Sequence, residues 1–282
     1  MDALKPMDIS LVIVTYNNRG FIVKCIEQIK THLPQELVCE IIVVDNNSPD
    51  RTAEAVRVIP DIQVMVNKRN IGFGAANNLG IKASRGKYVF LLNPDIFVHK
   101  DAFAKLYEFM EQNESVAMCG PRLIYPDGTD QSSAHRWPRC FSTPLVQRTF
   151  LAHTAWGRKM RARYQLEGLS KDRPSLVPWL VGAALFIRRA RLESIGGGFD
   201  ERFFMYYEDI DLCRQLWQAG FQIAYMPLSA MTHFHRRESA RGGFKIFTNR
   251  VYRIHLLSYL KYFIKWRGKK EPPVSHADCP KR

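Results

Sequence analysis

The sequence predicts a doubly wound α/β fold built on a mostly parallel sheet, and three observations predict it. Short apolar, β-branched runs recur at residues 8–15, 38–44 and 87–92, the signature of strands buried on both faces. Segments with helical periodicity alternate with them, as parallel connections require. Polar residues collect past three of the runs, at Thr15–Asn17, Asp45–Asn47 and Asn93–Asp95. Open α/β sheets bind ligands at the carboxyl ends of their strands.

In chain order, Asp8–Thr15 (DISLVIVT) predicts a buried strand, and Asn17 or Asn18 can cap a helix running to about His32. Val38–Val44 predicts a second strand ending at Asp45, followed by the turn residues Asn46–Asp50. Within that turn Ser48 suits an N-cap and Pro49 a first helical position, which predicts a helix to about Val58. A short strand near Ile62–Val66, a helix over Ile71–Ser84, a strand over Lys87–Leu92 and an amphipathic helix over Asp101–Gln112 follow. The pattern loosens after Gly120. Tyr125–Gly128 is a turn, and His135–Arg173 is a basic, aromatic-rich loop with a helix inside. Order returns over Leu176–Arg188, Glu201–Gly220 and Phe221–Met226, and Arg241–Trp266 reads as a long helix.

Composition narrows the class. The chain has 282 residues, 46% hydrophobic and 24% charged, which is globular. No apolar run reaches the roughly 18 residues of a membrane span, and MDALKPMDIS is no secretory signal. A cytoplasmic protein is therefore expected. The six cysteines include no C-x-x-C pair and no zinc spacing, so they are expected to be reduced structural residues. The net charge of +14 is uneven: residues 131–173 carry 9 Lys+Arg against 2 Asp+Glu, and residues 236–282 carry 13 against 3. Such patches suit phosphates, nucleic acid or an anionic membrane surface. The segregation of the charge from the strand ends, with no recognised binding module, argues against a nucleic-acid partner.

Several constellations can carry chemistry. Tyr16 can stack on a nucleobase with Thr15 and Asn17 bonding its edge, or the three form only a strand-to-helix turn. Asp45 can accept from a base imide or a ribose hydroxyl, or serve as a helix cap. In Asn70-Ile71-Gly72-Phe73-Gly74, glycines let backbone approach a ligand, although the spacing is not that of a dinucleotide fingerprint. Asn77 and Asn78 cost helix propensity, which points to a polar contact. Asp95, beside a proline-fixed turn, can hold a divalent cation that bridges a diphosphate. His233 and His235 alternate onto one face of an extended segment, beside Arg236 and Arg237, and suit a metal or a phosphate. In FFMYYEDIDLCRQLWQAGF, residues 203–221, three carboxylates follow an aromatic wall. A carboxylate there loses hydration and moves towards the pKa of a general base; acids opening a surface helix are the plainer reading.

Taken together, LVIVTYNN, IIVVDNNSPDRT, NIGFGAANNLGI, KYVFLLNPDIFV, the stretch from Trp179 to Phe221 and HFHRRES resemble the family 2 inverting glycosyltransferases, in their bacterial rhamnosyltransferase branch. The resemblance covers roughly residues 8–240. It implies a GT-A fold with a smaller acceptor-side region and a C-terminal helical tail: a glycosyltransferase domain over 1–235, divided into a nucleotide-sugar half (1–125) and an acceptor half (126–235), then a basic helix and tail over 236–282. It implies that Thr15, Tyr16, Asn17 and Asp45 hold the nucleotide and that Asn70, Gly72 and Gly74 border the ribose and diphosphate. Asp95 would be the surviving acid of the D-x-D signature, with Asn93 in the first position. His233 would contact a divalent cation, Mg2+ or Mn2+, whose requirement the Asn93 replacement leaves open. Trp179 and Gly182 would line the acceptor side. Asp209 would be the catalytic base, with Glu208 orienting the acceptor and Asp211 facing away or capping the helix. The implied partners are a nucleotide-diphosphate sugar (dTDP-rhamnose or a UDP-sugar) and a polyprenyl-diphosphate-linked or polysaccharide acceptor. The tail resembles basic helices that work at the inner membrane face, so peripheral association with anionic lipid is expected; packing on the domain, or a homodimer contact, is the other reading. A sugar-nucleotide nucleotidyltransferase is the alternative enzyme class, but YNNRGF lacks its glycine-rich basic loop.

Overall fold

The computed structural model describes residues 5–140, 153–234 and 250–274. The first half winds as expected. It runs β1 (Ile9–Thr15), α1 (Arg19–His32), β2 (Cys39–Asp45), α2 (Thr52–Arg57), β3 (Ile62–Val66), α3 (Phe73–Ala83) and β4 (Tyr88–Leu92). The strands pair in parallel in the order β3-β2-β1-β4. Alternation along β1 builds two cores. Ile9, Leu11 and Ile13 join Ile22, Cys25, Ile26 and Ile29 of α1, while Val12 and Val14 join Ala76 and Ile81 of α3.

The chain continues through β5 (Ile96–Val98), α4 (Ala102–Gln112), β6 (Val116–Ile124), β7 (Asp130–Gln131), β8 (Ala134–His135), α5 (Ala155–Tyr164), β9 (Ser175–Leu176), β10 (Trp179–Leu180), β11 (Ala184–Arg188), α6 (Arg189–Ser194), α7 (Glu208–Gln218), β12 (Gln222–His233) and α8 (Arg250–Lys265). Among the described residues one ten-stranded sheet results, in the order β3-β2-β1-β4-β11-β6-β12-β5, with β7 and β9 on its flank. β11 enters antiparallel between β4 and β6, and β12 lies parallel to β6. β8 and β10 form a separate two-stranded sheet.

Two expectations are corrected. Ser48 caps no helix: Asp45 takes both its N–H and its hydroxyl, at 2.9 and 2.5 Å, and α2 begins only at Thr52. The acids open a helix as the sequence suggests: residues 201–207 are turns, with Tyr206 and Tyr207 in left-handed backbone (φ 70° and 67°), and α7 starts at Glu208. The strand expected over Phe221–Met226 runs on to His233, past a register shift between Met226 and Ala230. His235–Arg237 and the first residues of the Arg241–Trp266 helix lie outside the described residues. The described cysteines 25, 39, 119, 140 and 213 are free thiols, and burial pushes Cys25 up to about 12.

Candidate active site

The ends of β1 and β2 form one corner. Thr15 and Asp45 are register partners and both are buried. The Ser48 hydroxyl, held by Asp45, accepts the Asn17 N–H at 2.9 Å, and Asp50 accepts the Arg19 N–H at 3.1 Å. The start of α1 is therefore capped from the neighbouring loop, not by Asn17 or Asn18. Asn17 takes a left-handed φ of 56°, and Tyr16 stands 45% exposed above the corner. The Thr15 hydroxyl is buried with no protein partner.

Asn46, which the sequence reading passed over as a turn residue, ties this corner to the next loop. Its amide donates to Asn70 Oδ1 (3.0 Å) and the Gly72 carbonyl (3.1 Å), and its oxygen accepts from Asn67 Nδ2 and the Ile71 N–H, both at 3.0 Å. Gly72 has φ 94°. A Cβ there would lie 2.4 Å from the Phe204 carbonyl oxygen, so this glycine admits protein backbone: Phe73 N–H donates to the same oxygen at 2.7 Å. A Cβ on Gly74 would lie 3.1 Å from Phe199 Cβ and 3.7 Å from Glu208 Cβ. The helical Asn78 makes the polar contact its position suggested, since its amide donates to the Phe199 carbonyl and accepts the Phe199 N–H.

The acids of α7 meet β11 at its entry. Gly182 N–H donates to Asp209 Oδ2 at 3.0 Å, and Ile210 N–H donates to Oδ1 at 2.8 Å. Next along the chain, the Ala183 carbonyl accepts the Asn93 N–H at 2.9 Å. A two-residue backbone bridge, Gly182-Ala183, thus joins the Asp209 carboxylate to the Asn93–Asp95 corner. Burial raises the Asp209 pKa to about 6 against the opposing pull of those two N–H groups. Glu208 is pushed higher still by burial and by the neighbouring charge of Asp209, and its Oε2 has no protein partner. Asp211 does not face away. It is fully buried, and it accepts from Lys265 Nζ (2.7 Å), Trp266 Nε1 (2.8 Å) and Gln215 Nε2 (2.8 Å).

At the other end of the bridge, the antiparallel pairing of β12 with β5 sets His233 opposite Ile96. His233 Nε2 comes 3.3 Å from Asp95 Oδ1, and Nδ1 lies 2.9 Å from Gln131 Oε1. The two residues expected to share a cation are thus side by side. Gln131, which nothing in the sequence singled out, engages the other ring nitrogen and leaves Nε2 facing Asp95. One carboxylate and one imidazole fit a cation that draws its other ligands from phosphate and water. No cluster of three or more His, Cys, Asp or Glu that could hold a metal exists among the described residues.

Trp179 is not an open platform. It stacks on His135 (4.5 Å between centroids, 16° between planes), donates from Nε1 to the Arg136 carbonyl at 2.8 Å and is buried. Burial there depresses His135 to about 3. Tyr164 of α5 packs in the same aromatic group, and burial with the charge of Asp209 holds its phenol protonated. The basic insertion therefore reaches the Asp209 side of the cleft, a contribution its irregular sequence did not signal.

Known proteins share this family and fold. Residues 10–167 match the family described as Glycosyl transferase family 2. The N-acetylglucosaminyl-diphospho-decaprenol L-rhamnosyltransferase of Mycobacterium tuberculosis H37Rv is 29% identical over 74% of this chain and 71% of its own. Rhamnosyltransferase WbbL of Escherichia coli K12 is 25% identical over 91% of this chain and 93% of its own. The crystal structure of GalNAc-T7 with UDP, GalNAc and Mn2+ superposes with a TM-score of 0.68 at 18% identity, over 95% of this chain and 49% of that one. This chain thus spans about half the length of that structure.

Proposed function

The chain belongs to glycosyl transferase family 2, and from that premise we propose that it is an inverting transferase moving a hexose, rhamnose by preference, from a nucleoside diphosphate to a lipid-linked or polysaccharide acceptor hydroxyl. A GT-A-like fold and glycosyltransferase activity follow from the family itself. One observation carries the finer reading: the Gly182-Ala183 bridge, which holds the half-buried Asp209 carboxylate next to the Asn93–Asp95 corner.

In this reading Thr15, Tyr16, Asn17 and Asp45 bind the nucleotide, and the Asn46-braced Asn70–Gly74 loop borders its ribose and diphosphate. Asp95 and His233 would hold a divalent cation, which supplies charge to the departing diphosphate. Asn93, Trp179 and Gly182 shape the cleft. The acceptor hydroxyl attacks the anomeric carbon on the face opposite the diphosphate. As the new C–O bond forms, the bond to the diphosphate breaks, the diphosphate leaves with the electron pair and Asp209 receives the hydroxyl proton. Glu208, beside it, orients the acceptor. The named rhamnosyltransferase relatives motivate dTDP-rhamnose and a polyprenyl-diphosphate-linked N-acetylglucosamine as the first pair to test, at the inner membrane face.

The experiment is a thermal-shift screen of dTDP-, UDP- and GDP-sugars with and without Mn2+, followed by turnover of wild type and Asp209→Asn on the stabilising donor. The variant should bind the nucleotide as wild type does and lose transfer by roughly a hundredfold or more. Near-normal turnover would remove Asp209 from the role.

A further inference from the structure

We propose that the C-terminal helix α8 is a positioning element of the active site, in which Ser258 and Lys265 fix the Met205–Asp211 segment that presents the Asp209 carboxylate. The inference rests on the reading of Asp209 as the base.

The segment needs to be held. Tyr206 and Tyr207 are consecutive non-glycine residues in left-handed backbone, a conformation that persists only where its surroundings impose it. One restraint comes from α3, through Phe73 N–H to the Phe204 carbonyl. The others come from α8. Ser258 Oγ donates to the Met205 carbonyl at 2.8 Å. The Tyr207 ring packs against His255, Tyr259 and Tyr262, with centroids 5.4, 6.0 and 5.4 Å away. Beyond Asp209, Lys265 Nζ and Trp266 Nε1 both bond the buried Asp211 carboxylate. Lys265 also reaches Asp200 at 2.8 Å, and Lys261 donates to the Arg202 carbonyl at 2.6 Å. Helix α8 therefore grips the chain on both sides of Asp209.

A helix docked for burial alone would need no lysine against a fully buried acid two residues from the base. Leaving that acid unpaired would set an uncompensated negative charge two residues from Asp209 inside the fold. Lys265 neutralises it, and its short ion pairs fix where α7 begins. Since Gly182 N–H meets Asp209 at 3.0 Å, a small displacement of that start breaks the contact. Misplacements on that scale cost rate more than affinity.

The test uses the full chain with Lys265→Met, Lys265→Arg and Ser258→Ala beside Asp209→Asn, on the donor and acceptor pair that wild type turns over. Lys265→Met is expected to lower kcat roughly tenfold to a hundredfold, with the Kd for the free nucleoside diphosphate within about twofold of wild type. Lys265→Arg should recover most of the loss, and Ser258→Ala should show a smaller fall in kcat alone. Wild-type kcat in both Lys265→Met and Ser258→Ala overturns the proposal, as does an equal loss of kcat and nucleotide affinity. Should Lys265→Met fail to fold, Ser258→Ala decides alone. The base assignment is judged separately: an active Asp209→Asn sinks that reading, whereas an inert one with normal α8 variants sinks only this inference.

Discussion

Two opposing effects act on Asp209. Burial favours its neutral form, while the N–H groups of Gly182 and Ile210 favour the anion, and burial wins, leaving a pKa of about 6. The sign of the consequence is fixed. A base works only when ionised, so kcat/KM should fall as pH drops through about 6 and level off above it. Stability runs the other way. A carboxyl whose folded pKa lies above its unfolded value stabilises the fold while protonated, and that contribution is lost as pH rises through the folded pKa. Asp209→Asn should therefore melt no lower than wild type at pH 8 while being inactive, the usual trade of stability for function. A pH–rate profile between 5 and 9 together with melting of both proteins checks this, and a profile flat from 5 to 8 would contradict it. Asp211 stands apart in the acidic cluster: it is paired with Lys265 and Trp266 of the C-terminal segment, whereas Asp209 is held by the Gly182 and Ile210 N–H groups.

The turn into α3 shows what an element demands of its residues. Gly72 combines φ 94° and ψ 168°, a region essentially closed to other residues, with a Cβ position 2.4 Å from the Phe204 carbonyl. Gly72→Ala should cost about 2–3 kcal/mol or more, read as a lowered denaturation midpoint, and should also disturb the Phe73–Phe204 contact that steadies the base. Elements governed by burial were legible in the sequence. Strands β1, β2 and β4 are buried on both faces and so appear as β-branched runs, and polar residues stand at their ends. Elements governed by competition were not legible. Ser48 has the makings of an N-cap, but Asp45, three residues earlier, captures it. Tyr206 and Tyr207 carry no local sign of left-handed backbone, because the restraint comes from Ser258 and the Tyr262 ring. Asp211 was expected to face away or cap the helix because its partner Lys265 lies 54 residues further on. Asp95 and His233, expected to share a cation, lie 3.3 Å apart, whereas the contacts of Gln131 in β7 and of Asn46 in its turn exist only once distant strands are paired.

At the scale of the whole molecule, the C-terminal helix has two faces, and packing on the domain does not exclude a second partner. Tyr262, Ser258 and Trp266 are buried against the domain. On the opposite side Leu256, Leu257, Leu260 and Ile264 are 40%, 55%, 45% and 73% exposed, among the exposed Arg253, Lys261 and Arg267. No helix among the described residues is long and apolar enough to cross a membrane. An apolar stripe rimmed by cations instead suits the boundary of an anionic bilayer, where each Lys or Arg contributes about 1 kcal/mol near the surface and the leucines insert shallowly. This arrangement would bring a lipid-linked acceptor to the same helix that grips the Asp209 segment. The expectation is that the protein co-sediments with phosphatidylglycerol vesicles, less so with neutral phosphatidylcholine, and that added salt weakens binding as screening shortens the reach of the rim charges. Leu257→Glu with Ile264→Glu should abolish co-sedimentation and leave the melting temperature unchanged, because neither side chain enters the core. Wild-type vesicle binding by that double variant would show that lipid is not what this face meets.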